Sequence, residues 1–382
     1  MNISNGLALR NAALSLAAKQ ARTIELISVE RLREALSVGL QDALARARNV
    51  LVLGISTPGL ASTIVSHTSK ECATVMLLET DAGLFTPTLL QPCGGFRGEI
   101  TQHVCQDITN LRLDPDIADN LVSTMQPQDY AAYRKLEARL ADQALAAPWV
   151  PDSSVDLVIV DMMANRLDGA DFDRLLSEVF RILRRKGQLV FTALLADEQC
   201  GLNSHIDLGR WEAKRIPTER EPLDALERAG FHGMSYWKLL DRPTHIDQGI
   251  EINAIQIDAF KGKQGECRDY GHAVLYRGPW REVLDDDGHR YLRGERTAVC
   301  VKTYELLTRG PYRNELVVFP PYLPMNPELA PLFDCDTPSR RDPRVTKGLL
   351  SVFASRTGSK AKNKCCETGA SVKSDGTASA EI

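Results

Sequence analysis

Nine cysteines, a run of three aspartates and several acidic residues at the ends of apolar segments are where this chain could do chemistry. The cysteine count is odd and the residues are spread over 382 positions, so they read as free thiols rather than as a disulfide framework. Cys72, Cys93, Cys105 and Cys200 lie in the earlier part; Cys267, Cys300, Cys335, Cys365 and Cys366 lie in the last third. None forms a CxxC pair, which leaves a zinc ribbon without support. Each is also small and apolar enough to fill a core, and packing stays the alternative to thiol chemistry. Asp285, Asp286 and Asp287, with His289 close behind, offer ligands for a hard cation. With Gly288 they also make a good hairpin turn, the plainer reading.

The elements that must position these groups follow from periodicity. Leu32, Leu36, Leu40, Ala43, Leu44 and Ala47 recur at helical spacing after Ser28, a capping residue, and predict an amphipathic helix ending near Arg48. NVLVLGISTPGLASTIV then reads as a buried strand, a small-residue loop and a helix. ATVMLLETD predicts a strand with Glu79 at its end, and EITQHVCQD a third ending at Asp107; buried parallel strands are this apolar. Residues 110–147 are richer in charge, contain a helical pattern in YRKLEARLADQAL, and form an insertion able to cover a cleft. VDLVIVDMM is the clearest strand, and Asp161 ends it where a parallel sheet opens into its crevice. DFDRLLSEVFRILRRKG predicts a helix stopped by its basic last turn and Gly187, and QLVFTALL the next strand. This alternation predicts an α/β, Rossmann-like, doubly wound sheet with helices on both faces.

After about Asn253 the pattern changes. AIQIDAF, HAVLYRG, REVLDDDG and RYLRGERTAVC are short, rich in β-formers and separated by glycine turns, which predicts a small mostly-β module. Beyond Lys347, Ser, Thr, Lys, Gly and Ala dominate, as in a mobile tail. The expected organisation is an N-terminal helical segment over 1–48, the α/β domain over 49–252, the β-rich module over 253–348 and the tail over 349–382.

Hydrophobic residues make up 43% of the chain, enough for two cored domains at this length. Lys and Arg total 46 against 50 Asp and Glu, so no electrostatic attraction for nucleic acid is expected. A small-molecule partner is expected instead. No apolar run nears the ~20 residues that span a bilayer, and no basic segment leads into an uninterrupted apolar one near the N-terminus, so the expected location is cytoplasmic.

GPWREVLDDDGHRYLRGERTAVCVKTYELL (Gly278–Leu307), with KGKQGEC up to Cys267, FDC up to Cys335 and RRDPRVTKG up to Gly348, resembles the C-terminal module of bacterial methyltransferases related to arsenite methyltransferase. The adjacent Cys365 and Cys366 resemble that family's terminus, and the match is best over residues 255–348. The resemblance implies S-adenosylmethionine as cofactor, bound by a glycine-containing turn after the first strand, with an acid ending the second strand on the ribose. Here the turn holds Gly54, Ser56 and Gly59, while Pro58 displaces a glycine and Val52 replaces an acid. Glu79 is the matching ribose acceptor and Asp107 the acid on the adenine side; Asp161 joins them from its own strand end.

The resemblance also implies thiolates that hold trivalent arsenic while its lone pair attacks the methyl group. Soft sulfur suits that centre, and positioning supplies most of the catalysis. Cys267, Cys300 and Cys335 are the matching thiols for this catalytic work and for metalloid binding, with Cys365 and Cys366 as further ligands. The family's WSGCISGA-like loop is altered: Trp211 matches, Lys214 occupies the position of the expected soft ligand and cannot replace it, and Cys200 is the candidate for a displaced thiol. Val301 replaces an acid in AVCVKT. Three functions follow: methyl transfer to thiol-bound arsenic; an eroded relative that binds a soft metal, metalloid or partner; or methylation of a small thiol or other metabolite. A dehydrogenase ranks below these because no GxGxxG follows the first strand.

Overall fold

In the computed structural model, residues 38–54, 60–68, 74–82, 98–200, 213–238, 243, 245–247, 249–337 and 339–353 are described. The chain divides into two compact units, Met1–Gly262 and Lys263–Ile382.

The first unit runs α1 (Val38–Arg46), β1 (Asn49–Leu53), α2 (Leu60–His67), β2 (Thr74–Glu79), β3 (Glu99–Val104), α3 (Pro115–Met125) and α4 (Tyr130–Ala146). It continues through β4 (Val155–Asp161), α5 (Met163–Arg166), α6 (Gly169–Ile182), β5 (Leu183–Ala196), α7 (Glu221–Ala229), β6 (His232–Lys238), β7 (His245–Asp247) and β8 (Ile250–Phe260). The strands form one sheet in the order β3-β2-β1-β4-β5-β8-β6, with β7 beside β8. β1 to β5 pair in parallel, and β8 runs antiparallel to β5 and β6. This is the Rossmann-like doubly wound arrangement expected, closed by an antiparallel strand.

Period-2 alternation builds its two faces. Leu51 and Leu53 point to the layer of α6, whose Phe172, Leu175, Leu176, Val179 and Ile182 are buried there. Val50 and Val52 point the other way, against Leu40, Ala43 and Leu44 of α1. Ser28, Leu32 and Leu36, which open the expected first helix, lie outside the described residues.

Three boundaries differ from the sequence reading. The helix before Gly187 stops at Ile182 instead, because Leu183 already pairs with Val155; the basic Arg184–Lys186 stretch is a bulge, with Lys186 at φ 76°. AIQIDAF is no part of the C-terminal module. It is the core of β8, whose Ile252–Phe260 pairs with β5 along its whole length, so the first unit extends past 252 to Gly262. Order also continues into the expected tail: Leu349 and Leu350 donate N–H groups to the Arg344 carbonyl and Val352 is buried. In the insertion, α3 buries no side chain and α4 buries only Leu136.

The second unit holds β9 (Ala273–Tyr276), β10 (Glu282–Leu284), β11 (Arg290–Leu292), β12 (Arg296–Ala298), α8 (Val301–Leu307), β13 (Leu316–Phe319) and α9 (Pro343–Thr346). β12-β9-β13 is one antiparallel sheet and β10-β11 a hairpin. Val274, Tyr276, Tyr291, Val299, Leu307 and Leu316 form its core. The aspartate run is the hairpin's turn, as in the plainer reading. Asp285 Oδ1 accepts the Asp287 and His289 N–H groups, and Lys263 Nζ is ion-paired with Asp285 and Asp287, which puts an internal ammonium where a bound cation would sit.

Gly54 follows β1 at φ 84°, and a Cβ there would overlap the Asp161 carbonyl oxygen. Gly54→Ala therefore carries both a left-handed backbone penalty and a backbone clash, and we expect it to destabilise the protein by about 2–4 kcal/mol in denaturant unfolding. Gly249→Ala, at φ 94° with nothing within 4 Å of its Cβ, carries the conformational penalty alone, about 1–2 kcal/mol. Equal losses in the two variants would contradict this account.

Candidate functional site

The parallel register puts three sequence-predicted residues in one row. Leu53 pairs with Leu78 on one side and Val160 on the other, so Gly54, Glu79 and Asp161 are the next residues at the carboxyl ends of β1, β2 and β4. The strand order reverses between β1 and β4, the switch point at which such sheets bind ligands. Glu79 is fully buried, and its carboxylate meets Arg166: Nη1 stands 2.6 Å from Oε1 and 3.1 Å from Oε2. Arg166 Nη2 donates to Thr80 Oγ1 at 2.6 Å, and the Thr80 N–H donates to Glu79 Oε1 at 3.0 Å. Asp161 is also buried and accepts a hydrogen bond from Thr192 Oγ1. Asp107 lies apart, exposed beyond the end of β3, where it accepts from the N–H and hydroxyl of Thr109. Ser56 and Gly59 lie outside the described residues, as do Cys72, Cys93, Cys365 and Cys366.

In the second unit the backbone gathers three distant segments. The Val301 N–H donates to the Arg268 carbonyl at 2.9 Å, and the Phe333 N–H to the Cys267 carbonyl at 2.7 Å. Arg268 also pairs with Leu332 in an isolated antiparallel bridge. These bonds set Cys267, Cys300 and Cys335 together, with all three Sγ atoms within 4.8 Å of one another. A buried ion pair steadies the frame: Arg341 Nη2 stands 2.6 Å from Asp269 Oδ1, and Arg341 Nε donates to the His272 carbonyl.

Cys300 is the innermost thiol of the three and the N-cap of α8. The Thr303 N–H donates to its Sγ at 3.4 Å, and the Thr303 hydroxyl lies 3.3 Å away. Hydrogen bonds from the Cys267 and Cys335 thiols, then those from Thr303, hold Cys300 well below the usual thiol range against the opposing effect of burial. A cavity of about 200 Å³ opens on this cluster, lined by Cys300, Cys335, Thr303, His289 and Tyr291 among others. Cys105 shows the opposite case: burial, then the nearby Asp107, pushes its thiol up to about 11. Cys200 is half-buried against the Met162–Leu194 core cluster, and Lys214 is exposed with its N–H on the Asn165 carbonyl.

Two functional groups escape a sequence reading. Thr303 could have been found from C-x-x-T at a helix start, since a cap and its third residue face each other. Arg166 has no such mark, because only the folded sheet brings the end of β2 near the segment after β4.

Residues 263–350 match a sequence family described as a domain of unknown function (DUF8838). No curated protein matches the chain. Among solved structures, an arsenic(III) S-adenosylmethionine methyltransferase from Chlamydomonas reinhardtii is similar at 15% identity and TM-score 0.41, over 82% of this chain and 98% of that one. An S-adenosylmethionine-dependent methyltransferase from Mesorhizobium loti is similar at 15% identity and TM-score 0.36, over 59% and 97%. Human N-acetylserotonin methyltransferase, in complex with S-adenosylmethionine, is similar at 16% identity and TM-score 0.33, over 61% and 54%.

The reduced protein is expected to show thiolate ultraviolet absorbance at neutral pH, persisting below it, because the Cys300 proton leaves under its donors. Thr303→Val deletes one donor and should move that titration to higher pH; Cys300→Ser should abolish it. Absorbance that arises only in the alkaline range in the wild type would contradict the assignment.

Proposed function

We propose that the second unit captures a trivalent thiophilic centre, arsenic(III) foremost, between Cys267, Cys300 and Cys335, and that the first unit supplies methyl transfer to it from S-adenosylmethionine. The observation that carries this reading is the convergence of three thiols from distant segments within 4.8 Å. Capture balances simply: each sulfur replaces one hydroxide on arsenite, which leaves as water with the proton of its thiol or, for the Cys300 thiolate, with one from solvent, and the arsenic lone pair remains. Three sulfur ligands suit a soft centre, whereas the nearby acidic cluster already has Lys263 as its cation.

The cofactor's fit rests on Glu79. Its carboxylate ends β2 at the switch point, where Arg166 Nη1 lies on both of its oxygens, the place that the O–H donors of a ribose would take. The donor set suits the group once Arg166 is displaced. S-adenosylmethionine would then be held by Glu79 beside the Gly54 turn and would supply an electrophilic methyl group. As the pair stands, it also favours a second reading, capture without transfer, because the expected ribose acceptor is engaged.

Arsenite titration of the reduced protein tests the main claim. Each single Cys→Ser change at 267, 300 or 335 should weaken binding by at least about 10-fold, through loss of one soft ligand. The triple serine variant should lose saturable binding. A folded triple variant that binds like the wild type would sink the site. Mass spectrometry of arsenicals after incubation with S-adenosylmethionine separates the readings: methylated product supports transfer, and intact capture without product supports the second.

A further inference from the structure

Arg166 reaches across the site. It follows β4, yet its guanidinium lies at the end of β2, and β1 stands between those two strands in the sheet. The segment from Asp161 to the Arg166 guanidinium therefore crosses the end of β1, where Met163 lies against Gly54. Glu79 is 0% exposed and the Arg166 side chain 10%, so releasing either ion into water costs the other a buried counter-charge. A ligand that displaces this pair has to satisfy both ions at once: it must bring donors for the carboxylate and an anion for the guanidinium.

We propose that Arg166 exchanges partners on cofactor binding and anchors the α-carboxylate of S-adenosylmethionine. This rests on the methyl-donor reading above. The cofactor carries both required groups. Its ribose presents two hydroxyl donors, which take the place of the guanidinium on Glu79, and its amino-acid end presents a carboxylate, which takes the place of Glu79 on Arg166. The planar fork of an arginine suits a carboxylate bidentately, and one buried ion pair becomes one ion pair plus a hydrogen-bonded carboxylate, the added negative charge being matched by the cofactor's own α-ammonium. Arg166 is then a specificity-determining residue, selecting adenosyl compounds that keep their amino-acid carboxylate over those that lack it.

Calorimetric titration with S-adenosylhomocysteine, which has the carboxylate, and 5′-methylthioadenosine, which has the ribose and lacks it, reads this directly. The wild type should prefer S-adenosylhomocysteine by at least about 30-fold, a charge-assisted bidentate contact being strong. In Arg166→Gln that preference should fall to within about 3-fold, with methylthioadenosine binding unchanged or improved. The double variant Glu79→Gln with Arg166→Gln leaves no lone buried charge and should show the same collapsed ratio, should the single variant fold poorly. A ratio that survives in the folded variants overturns the proposal. So does an equal gain for both compounds, which would make Arg166 a plain barrier. If the wild type and the variants all bind neither compound, the methyl-donor reading itself falls, and this inference with it.

Discussion

A charge taken out of water needs its counter-charge close by, and both units of this chain are arranged around that requirement. In the first, β2 ends in a carboxylate with no exposed surface, and the segment after β4 must bring a guanidinium to it. In the second, Asp269 before β9 holds Arg341 before α9, and Lys263 holds the acidic hairpin. Such pairs add little net stability over apolar packing. An arrangement that separated them would leave a lone buried ion at about 3–5 kcal/mol, so they dictate which segments lie side by side.

The two ligand-like clusters of the second unit show how the same principle sorts chemistry. Asp285, Asp287 and His289 converge as closely as the thiols do, yet Lys263 lies on the two aspartates and the hairpin's N–H groups donate to Asp285 Oδ1. The thiols are held by backbone bonds between their neighbours, and one of them caps a helix. The hard-ligand group is thus spent on structure, while the soft one keeps its sulfur atoms turned toward each other.

Much of this was readable in the chain. The near-continuous apolar runs in NVLVL, TVMLLE and VDLVIV marked buried strands, whose two faces pack against different helix layers, and those strands placed Gly54, Glu79 and Asp161 at one edge. The match around Cys267, Cys300 and Cys335 singled out residues that the fold does bring together. What local pattern could not show was pairing. AIQIDAF looked like a member of a β-rich module, and only its long antiparallel partner β5 assigns it to the first sheet. The basic run after Ile182 looked like a helix end, and a bulge opposite β4 claimed it. Asp107 ended an apolar run and so suggested a binding acid, but its carboxylate serves its own turn.

The thiols come from three segments far apart along the chain, joined otherwise by a few backbone hydrogen bonds. An ion bonded to all three sulfurs is consequently a cross-link as well as a cargo, closing two long loops of the second unit at a single point. The unfolded chain has to gather those loops from solution before it can offer the same three ligands, and it pays for their closure in entropy. Cargo and native structure thereby become one equilibrium, in which the loaded unit gains stability in proportion to the logarithm of cargo concentration. The unfolded fraction open to proteolysis would thus shrink whenever a thiophilic ion occupied the three sulfurs, with no separate sensor.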